Sequence, residues 1–318
     1  MSSEQSKPPR EEHPGCDGQR RDEFAPVVAR IDELVGNSPL VRLKRMGDQS
    51  KAPIYIKMEN LNPSGSIRDR YIAEILERAV AAGMLVSGDS VALAGIDDSA
   101  VSAALVGSVL EVNTRIFAPE GTGDRLAPLV LKYGAAIQRT PQQDGLKGAV
   151  DTAATWSRQG ADRIYVDGYR REAVRDAYAG IAAEILQALQ GQNLGAFITS
   201  ISTGGTFRHV ARELRETRPT LNVGGAILGG LELPDFKEHR FNSLRRFSVE
   251  EAFSWRDEIA RTEGLLLGPK GAVCVGLALQ LQKKLSPDDA IVALNPDSGQ
   301  RYLGWEDKVE YRGRLAPN

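Results

Sequence analysis

The chain contains 318 residues, of which 42% are hydrophobic and 26% are charged, as is usual for a soluble globular protein. This length is enough for one large or two ordinary domains. The formal net charge of -2 argues against a nucleic-acid partner, because phosphate-backbone binding usually needs a basic face. No apolar run approaches the roughly 18 residues of a membrane span, so a membrane partner is not expected either.

The N-terminal segment, residues 1–28, is predicted to be a disordered tail, since it is polar, contains proline and mixes both charge signs. It has no apolar core of the kind that a secretory signal requires. Cys16 and Cys274 are the two cysteines, which makes a disulfide framework improbable and favours a reducing, cytoplasmic location. His13 and Cys16 define no ligand geometry on such a tail, and no metal site is expected.

Beyond the tail, apolar strand-like segments alternate with longer segments of helical pattern. Strands are predicted at 52–59, 90–95, 114–119, 134–140, 162–168, 195–202, 221–228 and 289–295. Helices are predicted at about 66–84, 98–110, 125–135, 147–160, 171–189, 204–217, 248–263 and 270–283. This alternation predicts an α/β fold in which parallel sheets carry helices on both faces.

Three turns rich in glycine or serine adjoin these elements, at the kind of place where α/β proteins bind ligands. They are "NPSGSI" at 62–67, "STGGT" at 202–206 and "PDSG" at 296–299. Backbone N–H groups at the start of a helix favour an anion by about 0.3–1 kcal/mol. Each turn taken singly also fits an ordinary helix cap, which for the first turn would be a capping box of Ser66 and Asp69.

In combination with "VGNSPLVRL" at 35–43 and "IRDR" at 67–70, these turns closely resemble the cysteine synthase and cystathionine β-synthase family. The resemblance covers residues 29 to 303. Members of that family are pyridoxal-phosphate enzymes of fold type II, which has the tryptophan synthase β-like architecture. The resemblance implies two three-layer αβα domains and a homodimer. The small domain is expected at 51–150, and the large domain is expected to combine 29–50 with 151–318.

The resemblance also implies which residues contact pyridoxal phosphate. The phosphate would lie on Ser202, Thr203, Gly204, Gly205 and Thr206, and the pyridine nitrogen would contact Ser298. The family's Schiff-base lysine, however, corresponds to Arg68. A guanidinium stays protonated and is a poor nucleophile, so Arg68 cannot act as covalent anchor or as base. Lys270 is considered as a substitute amine, although a surface or ion-pairing role is favoured for it. The cofactor is therefore expected to be bound non-covalently or lost.

The substrate side of the site departs further from the family. The family's carboxylate-binding loop aligns with "GIDDSA" at 95–100, which places Asp97, Asp98 and Ser99 in the ligand pocket. Asp167 matches a family glutamine. A carboxylate about 4 Å from a substrate carboxylate costs about 4 kcal/mol at an effective dielectric near 20. With Arg68, the two adjacent aspartates form either an internally neutralised cluster or a site for a cationic or zwitterionic ligand. Drift after loss of function is the remaining alternative.

These changes predict a degenerate active site that does not perform pyridoxal-phosphate-dependent β-replacement. The chain is interpreted as a pseudoenzyme that binds a small amino-acid-like molecule or a paralogous enzyme. Two alternatives stay open. One is an enzyme of altered chemistry acting on an amino-acid-like substrate, and the other is a divergent cysteine synthase-type lyase or transferase that uses Lys270.

Overall fold

The computed structural model describes residues 27–123, 125–167, 171–202, 204–230 and 241–304. Most of the expected tail, at 1–26, lies outside the described residues, as does Thr203 of the expected phosphate turn. Within the described ranges, no helix combines the length and the apolar character that crossing a membrane would require.

The helices and strands follow the order expected from the sequence pattern, with two additional strands. The strands are β1 (Leu40–Arg42), β2 (Ile54–Met58), β3 (Ser90–Ala94), β4 (Asn113–Pro119), β5 (Ala136–Thr140), β6 (Arg163–Tyr165), β7 (Asn193–Ile201), β8 (Asn222–Leu228), β9 (Ser243–Phe247) and β10 (Asp289–Asn295). The helices are α1 (Arg68–Ala81), α2 (Asp98–Val109), α3 (Ala127–Lys132), α4 (Gly145–Ser157), α5 (Arg171–Ala188), α6 (Arg212–Thr217), α7 (Val249–Glu263) and α8 (Pro269–Leu281). A π-helical segment, Phe207–Ala211, leads into α6 where the sequence predicted one continuous helix.

Two sheets organise the chain. The larger sheet has the strand order β1-β2-β10-β7-β8-β9, and all of its pairings are parallel except that of β1 with β2. The smaller sheet has the order β5-β4-β3-β6 and is entirely parallel. The predicted α/β class with parallel sheets is therefore confirmed.

Helices cover both faces of the larger sheet, and the uniformly apolar β10 shows why. Ala290, Val292 and Leu294 face a core shared with α1 and α5. Ile291 and Ala293 face a second core, shared with α7 and α8. Since successive strand residues point to opposite faces, a strand covered on both sides has to be apolar at every position. Full burial of each Ile, Leu or Val side chain stabilises the fold by about 1.5–3 kcal/mol.

The smaller sheet is also sandwiched. Val91 and Leu93 of β3 face the core that contains α1 and α2. Ala92, between them, faces Ala149 and Ala153 of α4. This alternation completes a second three-layer unit, as the resemblance implied, and it aligns the carboxyl ends of β3, β4 and β6 along one edge.

Sheet membership differs from the expected domain boundaries at two strands. β2 lies within the expected small domain, 51–150, yet it pairs with β10 of the larger sheet, with Ile54 opposite Ile291. β6 lies after residue 150, yet it pairs with β3 of the smaller sheet. Strand pairing depends on which edge is free in three dimensions, and position along the chain does not reveal that edge. The division into domains otherwise stays a prediction.

The sequence pattern missed β1 and β9, which form the two edges of the larger sheet. β9 reads "SLRRF" and alternates half-buried with exposed residues until Phe247. β1 has only three residues. Short, polar strands are typical of sheet edges, where solvent contact reduces the apolar signal that identifies a strand.

The helix start at Arg68 also differs from expectation. No side chain caps α1, so the capping box of Ser66 and Asp69 is wrong. The Ser66 hydroxyl accepts a hydrogen bond from the Arg68 N–H at 3.2 Å. The Asp69 carboxylate instead accepts from the Ser64 N–H at 2.6 Å and from the Ser102 hydroxyl. Asp69 therefore joins α1 to α2, which a local helix-start pattern cannot indicate.

Candidate functional site

A cavity of about 480 Å³ opens at the carboxyl ends of β3, β4 and β6, between the first turns of α1 and α4. Of the residues predicted from the sequence, Arg68, Asp97, Ser99 and Asp167 all line it. Parallel strands end at the same edge, so their following loops converge on one space. The structure thus brings together side chains that are up to 99 positions apart, Arg68 and Asp167, in one pocket.

Arg68 is the first residue of α1, and its guanidinium lies 5.7 Å from the centre of the Tyr71 ring. Burial works to lower the pKa of Arg68. Its neighbours Tyr178, Tyr71 and the adjacent aspartates outweigh that effect and raise this pKa above its ordinary value. In the described part of the chain, the guanidinium has no carboxylate partner in an ion pair. Arg68 is therefore a permanent, partly buried cation on the cavity wall.

Tyr178 of α5 is a site residue that the sequence pattern did not indicate. It is fully buried and packs edge-on against Tyr71, with 6.3 Å between ring centres. Within the described ranges its hydroxyl has no aligned hydrogen-bond partner. Burial raises the pKa of Tyr178, while nearby Arg68 and Thr206 act to lower it. Tyr178 thus connects the Arg68 side of the cleft with the expected phosphate turn.

The two adjacent aspartates have different roles. Asp97 caps α2, accepting hydrogen bonds from the Ser99 N–H at 2.8 Å and the Ala100 N–H at 3.3 Å, and it lines the cavity. Asp98 turns away and forms an ion pair with Arg301. Burial alone would raise the pKa of Asp98, but Arg301 and other nearby cations lower it. Only one aspartate of the pair therefore presents its charge to the cavity, where two were expected.

Arg301 explains this difference. It lies in a short 3-10 helix, Gly299–Tyr302, just after β10. Its guanidinium donates to Asp98 and to the Ser64 carbonyl, both of which lie near the start of a helix. The Arg301 carbonyl accepts from Arg125 at 3.2 Å. The segment after β10 thereby clamps the loops before α1 and α2, a contact across 203 positions that no local pattern predicts.

Lys270 lies beside a second carboxylate group. Asp297 is buried, accepts a hydrogen bond from the Tyr302 hydroxyl at 2.5 Å, and has one oxygen without a partner in the described residues. Burial and the charge of Asp98 raise the pKa of Asp297. Lys270 is close enough to act in the opposite direction, lowering the pKa of Asp297 and of Asp98. Lys270 does not line the cavity, so it is not positioned to act as an amine on a ligand bound there.

The expected phosphate turn follows β7. The Gly204 backbone has a φ of +80°, and its carbonyl accepts from the Arg208 N–H at 2.9 Å, so a helix starts there. The first turn of a helix presents N–H groups without intrahelical partners, which suits a phosphate. Ser202, Gly205 and Thr206 flank this start. None of these four residues lines the 480 Å³ cavity.

Ser298 occupies the end of β10. Its hydroxyl oxygen accepts from the Gln300 N–H at 3.3 Å, which leaves its proton available for another acceptor. The helix start at 204–206 offers N–H donors of the kind that suit a phosphate group, and the Ser298 hydroxyl offers a donor that suits a ring nitrogen. Arg68 does not fit the lysine link that completes the family's cofactor site, because it cannot form an imine. In the described residues, no group of three His, Cys, Asp or Glu side chains is arranged for a metal ion.

A second charged cluster consists of Lys57, Glu59, Arg70 and Glu184, and it does not line the cavity. Arg70 donates to Glu59 at 2.6 Å and to Glu184 at 2.8 Å. Lys57 pairs with Glu184 and lies 3.8 Å from Glu59. The cluster holds two cations and two anions, so its charges balance. These contacts give Lys57 a structural role.

The profile of the family described as "Pyridoxal-phosphate dependent enzyme" (PALP) matches residues 31–297. The chain belongs to this family. It is 28% identical over 300 residues to a probable cysteine synthase of Bacillus subtilis (strain 168), covering 87% of the chain and 96% of that protein. It is 30% identical over 310 residues to the O-acetylserine dependent cystathionine beta-synthase of the same organism, covering 91% of the chain and 99% of the relative.

Solved structures support the same fold for this PALP-family protein. O-ureido-L-serine synthase superposes with a TM-score of 0.80 at 23% identity, covering 88% of this chain and 94% of that one. An O-acetylserine dependent cystathionine beta-synthase from Helicobacter pylori superposes with a TM-score of 0.77 at 24% identity, covering 88% and 98%. At such identities the likeness shows the fold alone. The prediction of the fold type II, tryptophan synthase β-like architecture is confirmed.

Proposed function

We propose that this PALP-family protein does not perform lysine-dependent β-replacement and instead binds a small amino-acid-like molecule in its cleft. The observation that carries the proposal is the position of Arg68. Arg68 is the first residue of α1, and its guanidinium lines the cavity and stays protonated. No nucleophilic amine is therefore available at that wall. The protein is on this view a pseudoenzyme that keeps the family's fold and cleft.

Pyridoxal phosphate, when bound, supplies an electron sink for carbanion chemistry at the α-carbon of an amino acid. In this chain, Ser202, Gly204, Gly205 and Thr206 would hold its phosphate, and Ser298 would contact its ring nitrogen. We propose that the cofactor is either held by these contacts without a covalent link or has been lost. The residues themselves bind and orient: Arg68 supplies a fixed positive charge and Asp97 a fixed negative one.

The proposal also covers the protein's partners and its cellular location. A homodimer follows from the resemblance to the family, and a paralogous enzyme is a second candidate partner. The cytoplasmic location rests on the low cysteine content and on the soluble character of the composition. The amino-acid-like ligand is supported by the opposite charges of Arg68 and Asp97 on one cavity wall.

An enzyme of altered chemistry is the second candidate, and Asp297 is the observation that favours it. A buried carboxyl group with a raised pKa and one unpaired oxygen has the properties of a general acid or base. Asp297 does not line the cavity, however, so a ligand there would not reach it directly. The binding function is therefore supported better.

The test is an absorbance spectrum of the purified protein before and after incubation with pyridoxal phosphate and dialysis, combined with an assay for β-replacement of O-acetylserine by sulfide. The Arg68→Lys variant is the control that restores an amine. We expect no internal-aldimine band and no turnover in the wild type. Turnover at about 1–10³ s⁻¹, the ordinary range for enzymes, would refute the proposal. An aldimine band that disappears in Lys270→Ala would establish the divergent-enzyme alternative instead.

A further inference from the structure

The charged residues of the cleft differ in whether an ion pair neutralises them. Asp98 is neutralised by Arg301, so it no longer favours a cationic ligand. Arg68 has no ion-pair partner within the described residues. A partly buried cation without a partner costs free energy, and natural proteins pair such groups with an anion. The start of α1 therefore presents to the cavity a positive charge that has no ion-pair partner in the described part of the chain.

The position of Arg68 in α1 increases this imbalance. It is the first residue of a helix of 14 residues, where the backbone dipole is also positive. Asp69, the acidic residue of that turn, is bound to Ser64 and Ser102 and faces α2. The Tyr178 hydroxyl lies near the guanidinium and near Thr206. A cation and a helix start thus both favour an anion at the same wall.

The other walls of the cavity set the shape of the ligand. Leu93, Ile96, Leu146, Val150 and Val166 line it with aliphatic side chains. Its volume of about 480 Å³ lies within the usual range of pockets for small molecules. A phosphate ester would leave this aliphatic surface without contacts, whereas a short branched carboxylic acid would cover it.

We propose that the cavity binds a small aliphatic carboxylate non-covalently, with the carboxylate on the Arg68 guanidinium and the aliphatic part against Leu146 and Val150. This inference rests on the proposed function and specifies its ligand. Arg68 is thereby a binding residue in its own right, because a guanidinium holds a carboxylate through two parallel hydrogen bonds. Asp97, which also lines the cavity, adds a contact for an ammonium group where the ligand carries one.

The test is isothermal titration of the purified protein, free of added pyridoxal phosphate, with 4-methylpentanoate and with the neutral isostere 4-methylpentanamide. A ligand of this size in a matched pocket is expected to bind with a dissociation constant near 1 mM. The amide is expected to bind about tenfold or more weakly, because it leaves the cation unpaired.

Variants assign the effect to Arg68. Arg68→Met keeps the length of the side chain, removes the charge and is expected to abolish the preference for the carboxylate over the amide. Arg68→Lys is expected to keep most of that preference. Arg158→Met is the matched control, since Arg158 is an exposed arginine at the other end of α4 whose side chain donates to the Ala154 carbonyl at 3.0 Å, away from the cavity lining. Circular dichroism checks that each variant is folded.

Equal binding of the acid and the amide, or an unchanged preference in Arg68→Met, would overturn the inference. So would the absence of binding of 4-methylpentanoate at concentrations about tenfold above the expected dissociation constant. These results are separate from the proposed function, which fails if the wild type turns over O-acetylserine or shows an aldimine band that disappears in Lys270→Ala. A protein without turnover and without carboxylate binding would retain the proposed function and lose this ligand.

Discussion

Arg68 and Arg70 are two residues apart on α1, yet their surroundings are opposite. The Arg70 guanidinium donates to Glu59 at 2.6 and 2.8 Å and to Glu184 at 2.8 Å, and its side chain is 5% exposed. Arg68 lies against the Tyr71 ring and faces a cavity. A helix places residues two apart on different faces, so one points into the fold and the other into the cleft.

The comparison separates two uses of a buried cation. Arg70 is neutralised by carboxylates and stabilises the fold, whereas Arg68 is available to a ligand. The cluster around Arg70 balances its own charges, and Ser38 and Asn62 donate further hydrogen bonds to the two Glu59 oxygens that Arg70 already contacts. Nothing in the described chain balances Arg68 in the same way. Removal of Arg70 is expected to damage the fold, whereas removal of Arg68 is expected to damage binding.

The largest expected effect comes from Arg70→Met. It leaves Glu59 and Glu184 with a single cation between them, and breaking a buried pair in this way costs about 3–5 kcal/mol. Arg68→Met, the matched change, is expected to alter the free energy of unfolding by less than about 1 kcal/mol. Urea unfolding of the two variants measures both values. Equal losses would show that Arg68 is part of the framework and remove the distinction.

The next largest expected effect is the pH-dependent contribution of Glu184 to the free energy of unfolding. Burial favours the neutral carboxyl, but Arg70 and Lys57 outweigh it and lower the pKa of Glu184 from 4.5 to about 2. Because the folded pKa lies below the unfolded one, the stabilisation is present above about pH 4.5 and is lost as the pH falls toward 2. Allowing for partial solvent screening, we expect about 1–2 kcal/mol from this group.

Glu184→Gln tests that dependence. The variant is expected to lose stability at neutral pH and to show a smaller decline of the free energy of unfolding between pH 5 and pH 3 than the wild type, by about 1 kcal/mol. Chemical denaturation at several pH values provides the comparison. An unchanged acid decline in the variant would mean that the cluster around Arg70 does not carry the acid sensitivity.

Arg301→Gln is expected to have an intermediate effect. This arginine joins the start of α2 to the loop before α1 by binding Asp98 and the Ser64 carbonyl. The side chains are 6% and 16% exposed, and Arg301 pairs with one carboxylate where Arg70 pairs with two, so a loss of about 1–2 kcal/mol is expected. Hydrogen exchange is expected to become faster in the loop before α2, since the clamp on that loop is removed. Protection of this loop at wild-type levels would contradict the assigned role of Arg301.

The smallest effect is expected from Lys270→Met. Lys270 lies beside two carboxylates on the outer side of the cleft, and its replacement is expected to change stability by less than about 0.5 kcal/mol. The spectrum after incubation with pyridoxal phosphate is expected to match that of the wild type. A band present in the wild type and absent from this variant would give Lys270 the role of cofactor anchor.

Much of the fold was predictable from local pattern. Continuous apolar runs such as the one in β10 indicated strands buried on both faces, and the glycine turn after β7 indicated a helix start. The edge strands β1 and β9 were missed, because solvent exposure removes their apolar signal. Strand pairing placed β2 and β6 in sheets that the chain order did not indicate.

The candidate site was predictable in part. Arg68, Asp97, Ser99 and Asp167 do line one cavity. Tyr178 and Arg301 were missed, since a buried tyrosine in a helix and an arginine in a turn carry no spacing that marks them. The pairing of Asp98 with Arg301 leaves one aspartate of the adjacent pair, Asp97, facing the cavity where two were expected.

The sequence by itself determined the α/β class, the family, the helix that begins near Arg68 and the absence of an amine at that position. These properties follow from local composition, from the spacing of motifs and from the chemistry of single side chains. Only the tertiary structure decided which charges are neutralised. Arg70 and Asp98 find partners 114 and 203 positions away, whereas Arg68 is left facing a cavity. Charge pairing depends on distances in space, and those distances are established only when both sheets have assembled.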